Sequence, residues 1–302
     1  MLVITIWPIF ALICLGYVLF CIGFPSESFW AAAERLNYFV LFPALLVSSL
    51  AEAPVYDPAV LRLGAAAIVT ILLGAAAVAL FRRIRPMPAR RYGPVLQGVV
   101  RFNTYLGLSI LAVLAGSEGI ERAAIYLAVS VPLVNVLAIL ALSGGEASRH
   151  PLDLLRTVLT NPLILACLMG GGLALAGIGL PLGTGDFLSL LGQASLPLGL
   201  LCVGAALRPV SLRRDVVALL GTGAARLLAM PALATAVAVG LGLSGVEALV
   251  LVVFSAVPTA PSAYVLTRQL NGDASFMAGI VTSQTIAVIA TLPLLLLVGP
   301  FG

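Results

Sequence analysis

The chain has no lysine: all sixteen of its basic residues are arginine. Charge of either sign is scarce, at 9% of 302 residues, where a soluble domain carries about a quarter. The formal net charge of +4 is too small and too scattered for a nucleic-acid partner. Histidine is represented only by His150, in a loop, which excludes a His-based proton relay and a His-rich metal set. The four cysteines, Cys14, Cys21, Cys167 and Cys202, lie in apolar runs without a CxxC pair or a neighbouring His. That argues against a metal site or disulfide framework and predicts buried thiols packing as small hydrophobes. HExxH, GxSxG and a paired intramembrane Asp are all missing, so no catalytic constellation is expected, and the chain does not read as an enzyme. "GTGAAR" at 221–226 is not a dinucleotide fingerprint, because no strand precedes it. No cofactor and no metal are expected.

What fills the chain is apolar residue after apolar residue, 61% of the total, with a mean hydropathy of +1.16. Runs of about 20 such residues cross a hydrocarbon core of roughly 30 Å. The pattern predicts an all-α polytopic membrane protein embedded in a lipid bilayer. Ten spans are expected, near 2–22, 33–51, 59–81, 94–115, 120–142, 154–177, 187–207, 215–241, 247–270 and 275–298. The first has no basic residue before it and no small-residue cleavage site after it, so it reads as a retained helix rather than a signal peptide. "FRRIRPMPARRYG" after the third span should be cytoplasmic, because short arginine-rich loops stay inside. Alternation then puts most arginines inside, Arg62 and Arg122 outside, and both termini on the outer side of the inner (plasma) membrane.

Sliding the chain on itself by 154 positions pairs Pro8 with Pro162, Gly16 with Gly170, Gly23 with Gly177 and Pro43 with Pro197. The offset drifts to 156 where Gly116 faces Gly272. These coincidences predict a duplication, residues 1–145 and 152–302. An odd number of spans per copy makes the repeats inverted, an arrangement common in secondary transporters, whose site lies near the midplane at interrupted helices.

Such an interruption is written in the ninth span as "FSAVPTAPSAYVL", where Pro258 and Pro261 each remove a backbone donor. Hydroxyls at Thr259 and Ser262 sit beside them. The fourth span, its repeat mate, carries Gly98, Asn103, Thr104 and Gly107 at equivalent depth. Irregular backbone there is tolerated when it is buried in protein or lines a wet cavity, and half-helix N-termini pointing inward favour an anion. The plainer alternative is a simple proline kink. Arg101 is a charge deep in a span with no Asp or Glu at comparable depth to pair with. Either it grips a substrate carboxylate or supplies the positive field of the site, or else it snorkels or bonds backbone carbonyls. Arg226, about eleven residues into the eighth span, has no obvious partner among its neighbours. Asn37, Asn135, Gln193, Ser283 and Gln284 are polar residues that serve either as interhelical bonds or as ligands, with Asn37 and Gln284 the candidate site members. The scarcity of intramembrane carboxylates suits an anion better than a cation, although unwound carbonyls are also what sodium coupling uses.

"ERLNYFVLFPALLVSSLA", "RFNTYLGLSILAVLAG", "LTNPLILACLMGGGLALAGIGLP", "QASLPLGLLCVGAAL" and "PTAPSAYVLTRQLNGD" occur in this order along essentially the whole chain. As a set they resemble the bacterial, malonate-carrier-like branch of the auxin efflux carrier family. The resemblance implies ten helices in two inverted five-helix repeats with broken, crossing helices 4 and 9, a fold shared with bile-acid symporters and cation-proton antiporters. It implies a scaffold of spans 1, 2, 6 and 7, a transport domain of spans 3–5 and 8–10, and a homodimer. Substrate would bind at the crossover, which receives Asn103, Thr104, Pro258, Thr259 and Pro261, with Arg101 close by. Two departures stand out: only "SGGEASRHP" joins the halves where plant members have a long hydrophilic loop, and the fourth span breaks at Gly and Asn rather than proline.

The expected function is secondary transport of a small organic anion, a carboxylate, by elevator-type alternating access. The substrate-binding candidates are Arg101, Asn103, Thr104, Pro258, Thr259, Pro261, Ser262, Asn37 and Gln284. The alternative is a sodium-coupled organic anion symporter of the bile-acid type. A channel would need a continuous polar lining, and a passive scaffold would leave Arg101 unexplained.

Overall fold

In hydrocarbon each backbone N–H and C=O must find its partner within the protein, so an apolar chain of this composition is driven into helices. The computed structural model describes residues 2–51, 58–142, 160–180, 183–213 and 215–298, and every regular element among them is helical. The α-helices are α1 (Leu2–Cys21), α2 (Glu27–Leu36), α3 (Phe42–Ala51), α4 (Pro58–Ile84), α5 (Ala89–Val100), α6 (Thr104–Leu142) and α7 (Pro162–Ala176). They continue as α8 (Thr184–Ala205), α9 (Val216–Ala224), α10 (Met230–Gly240), α11 (Gly245–Ala256), α12 (Ser262–Gln269) and α13 (Ala274–Val298). Five-residue π-turns, Asn37–Leu41 and Ala225–Ala229, join α2 to α3 and α9 to α10 without ending the helical path.

Local sequence explains where the elements stop. Ser26 caps α2 by accepting the Phe29 N–H at 3.2 Å, and Asn161 caps α7 by accepting the Leu163 N–H at 2.9 Å. Gly177 closes α7 in the left-handed conformation, φ 65°. Within α6, Gly116 holds φ 58° and ψ −141°, a conformation open to glycine, and marks the turn between the expected fourth and fifth spans.

Among the described residues, five helical stretches are long and apolar enough to cross a membrane: Pro58–Ile84, Ala89–Leu142, Thr184–Ala205, Val216–Gly240 and Ala274–Leu297. Ile6–Cys21, Pro162–Ala176 and Gly245–Ala256 are apolar but shorter. The expected second span starts earlier, at Glu27, and the fourth starts at Ala89 and breaks after Val100. The ninth divides into α11 and α12, so neither piece reaches spanning length alone. Residues 154–159 of the expected sixth span, the linker "SGGEASRHP" at 143–151, His150, Arg149 and Arg156 lie outside the described residues.

Two groups of helices pack side by side. In one, α1 lies on α8, and α3 lies on α7 and α8. At Gly16 and Gly204 a Cβ would collide with the backbone of Leu201 and Ile13, so α1 and α8 approach as closely as glycine permits. Gly170 of α7 lies against Val47 and Leu50 of α3 in the same way. In the other group α4 packs on α6 and α10, α11 on α6 and α10, and α13 on α5 and α9. Arg91 of α5 ties this group together at one end, donating to both Asp215 oxygens at 2.9 and 2.8 Å and to Asp273 at 3.1 Å. Large apolar side chains also cover the outside, with Leu61, Ile84 and Val217 among the most exposed. An apolar exterior around an apolar core is the signature of a polytopic membrane protein.

Candidate substrate site at two helix breaks

The predicted interruption of the ninth span is present. α11 ends at Ala256, Val257 is extended at φ −76° and ψ 152°, and helix resumes at Ser262. The fourth span breaks as well, without proline. Arg101 is extended at φ −82° and ψ 141°. Asn103 then starts α6 as its cap, its Oδ1 accepting the Leu106 N–H at 3.2 Å. The two breaks meet directly, the Asn103 N–H donating to the Pro258 carbonyl at 2.7 Å. A second tie runs from Gln97 Nε2 of α5 to Thr267 Oγ1 of α12 at 3.0 Å.

A cavity of about 60 Å³, room for several waters, opens at this meeting point. Arg101, Asn103, Thr104, Pro261 and Ser262 line it. The Arg101 guanidinium donates to Asn135 Oδ1 at 2.9 Å and to Ser262 Oγ at 3.3 Å, rather than to backbone carbonyls. Asn103 is fully buried, and its Nδ2 has no hydrogen-bond partner among the described residues. The starts of α6 and α12 both border the space. Two half-helix N-termini, a guanidinium and a spare amide donor therefore converge on one small volume, which Glu34 also lines.

The other four candidates lie behind this wall. Thr259 is fully buried, its N–H donating to Gln284 Oε1 at 2.9 Å and its Oγ1 to the carbonyls of Gln97 and Gly98 at 3.3 and 3.2 Å. Gln284 returns Nε2 to the Gly98 carbonyl at 2.8 Å and to that of Thr222 at 3.3 Å. Pro258 contributes the carbonyl that Asn103 uses. Asn37 does not reach the cavity: its Nδ2 donates to the Ser195 carbonyl at 3.0 Å and its Oδ1 accepts from Ser195 Oγ at 2.8 Å. That pair bridges the α2–α3 turn to α8, and it places Asn37 as a packing tie.

Three features run against the sequence reading. Glu34 of α2 lines the same cavity as Arg101, so a carboxylate does lie at that depth, although the two form no ion pair within 4 Å. The register of α2 would have placed it there had the helix been extended back to Glu27. Arg226 is not partnerless, since all its partners are backbone carbonyls. Cys167 and Cys202 are buried, but Cys14 and Cys21 are on the outer surface of α1. Among the described residues, no three His, Cys, Asp or Glu side chains gather as a metal set.

An apolar helical bundle with a polar site at paired helix breaks is the build of a membrane transport protein. Residues 151–296 match the membrane transport protein family. An uncharacterised transporter of Methanothermobacter thermautotrophicus is 28% identical over 295 residues, covering 96% of both chains. Both similarities are to membrane transporters, and they agree with the resemblance of the sequence to the auxin efflux carrier family.

Proposed function

We propose that the chain is a secondary transporter of a small organic carboxylate, bound where the fourth and ninth spans break. The carrying observation is the cavity in which Arg101, the unpartnered Asn103 amide and the N-termini of α6 and α12 face one another. Burial in this low-dielectric space strengthens each of these interactions with an anion. Arg101 would exchange its bonds to Asn135 and Ser262 for a bidentate grip on the carboxylate, while Asn103 Nδ2 donates to a second lone pair on one of the same two oxygens.

Ten spans in two inverted repeats frame this reading. Its support is a packing exchange: Gly16 meets Leu201, and Gly170 meets Val47. Adding 154 to 16 gives 170, and adding 154 to 47 gives 201, so each copy inserts its first helix against the second helix of the other. The scaffold would be α1, α2, α3, α7 and α8, working as a homodimer, and the remaining helices would move as the elevator. The cavity sits between these parts, with Glu34, Tyr38 and Cys202 on the scaffold side and Arg101 and Ser262 on the moving side. A recess of about 740 Å³ beside Arg208 shares Glu34, Cys202 and Pro261 with it, giving a route from the arginine-rich, inner face.

The test is a thermal-shift screen of detergent-purified protein against malonate, malate, lactate, indole-acetate and bile acids. A ligand at 100 times its Kd stabilises by about 2.7 kcal/mol. Arg101→Ala should weaken a carboxylate response roughly tenfold to a hundredfold, the worth of hydrogen bonds to a charged group. A response that survives this substitution unchanged moves the site elsewhere.

A further inference from the structure

Among the described residues, Arg226 is the largest side chain that is fully enclosed, at 1% exposure. It stands on the π-turn between α9 and α10, and no carboxylate lies within 4 Å of it among the described residues. Its Nε donates to the Val257 carbonyl at 2.8 Å, its Nη1 to the Val99 carbonyl at 2.9 Å, and its Nη2 to the Phe254 carbonyl.

These three carbonyls are among those that the breaks orphan. In a continuous α-helix a carbonyl accepts from the N–H four residues on. For Phe254 and Val257 those residues are Pro258 and Pro261, which have no N–H. For Val99 the residue is Asn103, whose N–H goes to Pro258 instead. Val99 lies at the end of α5, and Phe254 and Val257 lie at the end of α11. One guanidinium thus bonds the negative, C-terminal ends of both broken helices at once, while their positive counterparts, the starts of α6 and α12, border the cavity. Unwound carbonyls at half-helix C-termini are the atoms with which sodium-coupled carriers hold their ion.

We infer that Arg226 is a tethered cation occupying the position a dissolved alkali ion would otherwise fill, so that the two breaks stay assembled without sodium. Three rigid N–H groups reach three carbonyls that water and lipid cannot, and the positive charge never dissociates during a transport cycle. This separates the chain from a sodium-coupled symporter of the same general shape. The inference rests on the two breaks being the working centre, but its test reads the protein without any organic ligand. It can therefore fail while the anion site stands, and the anion site can fail while it stands.

The experiment measures the apparent Tm of the purified full chain in sodium chloride and in choline chloride at equal ionic strength, for wild type, Arg226→Ser and Arg226→Gln. Wild type is expected to be indifferent to sodium. Arg226→Ser should lose several degrees and regain part of them with sodium or with low concentrations of guanidinium, but not with choline. Arg226→Gln, which keeps an amide donor without charge, should show the same sodium response on a smaller loss. A residue that merely fills space would leave a variant blind to the cation. A folded variant with no cation response overturns the inference, as does a sodium-specific stabilisation of wild type. Should neither variant fold, the wild-type comparison decides alone: indifference supports the tethered cation and a sodium shift overturns it.

Discussion

Apart from Asn103, which does both, the side chains that hold the breaks and those that face the cavity are different residues, although the sequence offered them as one set. Gln284 illustrates the first kind. It accepts from Thr259 N–H and donates to Gly98 and Thr222 carbonyls, so Gln284→Leu would leave the buried Thr259 N–H unpaired and take one donor from each carbonyl. A loss of about 2–3 kcal/mol is expected, read as a lowered Tm that appears without any ligand. Glu34 is of the second kind. Its carboxylate shares the cavity with Arg101 and, on the proposed carboxylate reading, would oppose the anion, so Glu34→Gln should tighten carboxylate binding several-fold while leaving the apo Tm little changed. Titration of malonate against both proteins checks this, and unchanged affinity would remove Glu34 from the site. Arg101, Asn103 and Ser262 were legible from residue type and depth. The fixed roles of Asn37 and Arg226 were not, because Ser195 lies 158 residues from Asn37 and the Arg226 acceptors are backbone atoms 28 to 127 residues away. A backbone carbonyl carries no mark in the sequence until the break that orphans it is known.

At the level of the element, two routes lead to one geometry. In the ninth span prolines forbid the helix, and the break could be read directly from Pro258 and Pro261. In the fourth span the helix is permitted, but a better arrangement replaces it: Asn103 caps α6 with its side chain and gives its N–H to Pro258. Capping by Asn is common to many surface helices, so on its own it signals nothing about depth. The difference predicts unequal responses to repair. Pro258→Ala with Pro261→Ala returns two N–H groups that compete with Arg226 for the Phe254 and Val257 carbonyls. The double variant should remain folded, gain helicity and lose its carboxylate-dependent thermal shift. Circular dichroism and the ligand screen together check it, and an unaltered shift would show that the prolines serve packing alone. Aromatic packing behind the breaks sets a second constraint. Phe254 stacks on Tyr126 with centroids 4.6 Å apart, and a Cβ on Gly107 would overlap the Phe254 ring. Gly107→Ala should lose about 1–3 kcal/mol by overpacking, whereas Gly171→Ala, which faces open space, should not.

Across the whole molecule, composition fixed the class, and arginine placement and the offset of 154 set the expected topology, but relative motion has no compositional trace. Span boundaries were less legible, because the second and fourth spans begin earlier than expected, at Glu27 and Ala89, and Gly116 turns the chain inside one helical run. The elevator reading assigns Phe42 of α3 and Tyr105 of α6 to opposite sides of a sliding boundary, where their rings meet edge to face at 5.2 Å. Arg122 of α6 and Glu247 of α11, paired at 3.1 Å, both fall within the moving part. In a background with Cys14, Cys21, Cys167 and Cys202 replaced, cysteines at 42 and 105 joined by a short bifunctional thiol reagent should arrest uptake into proteoliposomes yet preserve carboxylate binding. The same reagent across cysteines at 122 and 247 should leave uptake near its uncrosslinked rate, since both ends travel together. Arrest at both pairs would point to rearrangement inside the bundle of α4–α6 and α9–α13, and arrest at neither would mean that the boundary between Phe42 and Tyr105 does not slide.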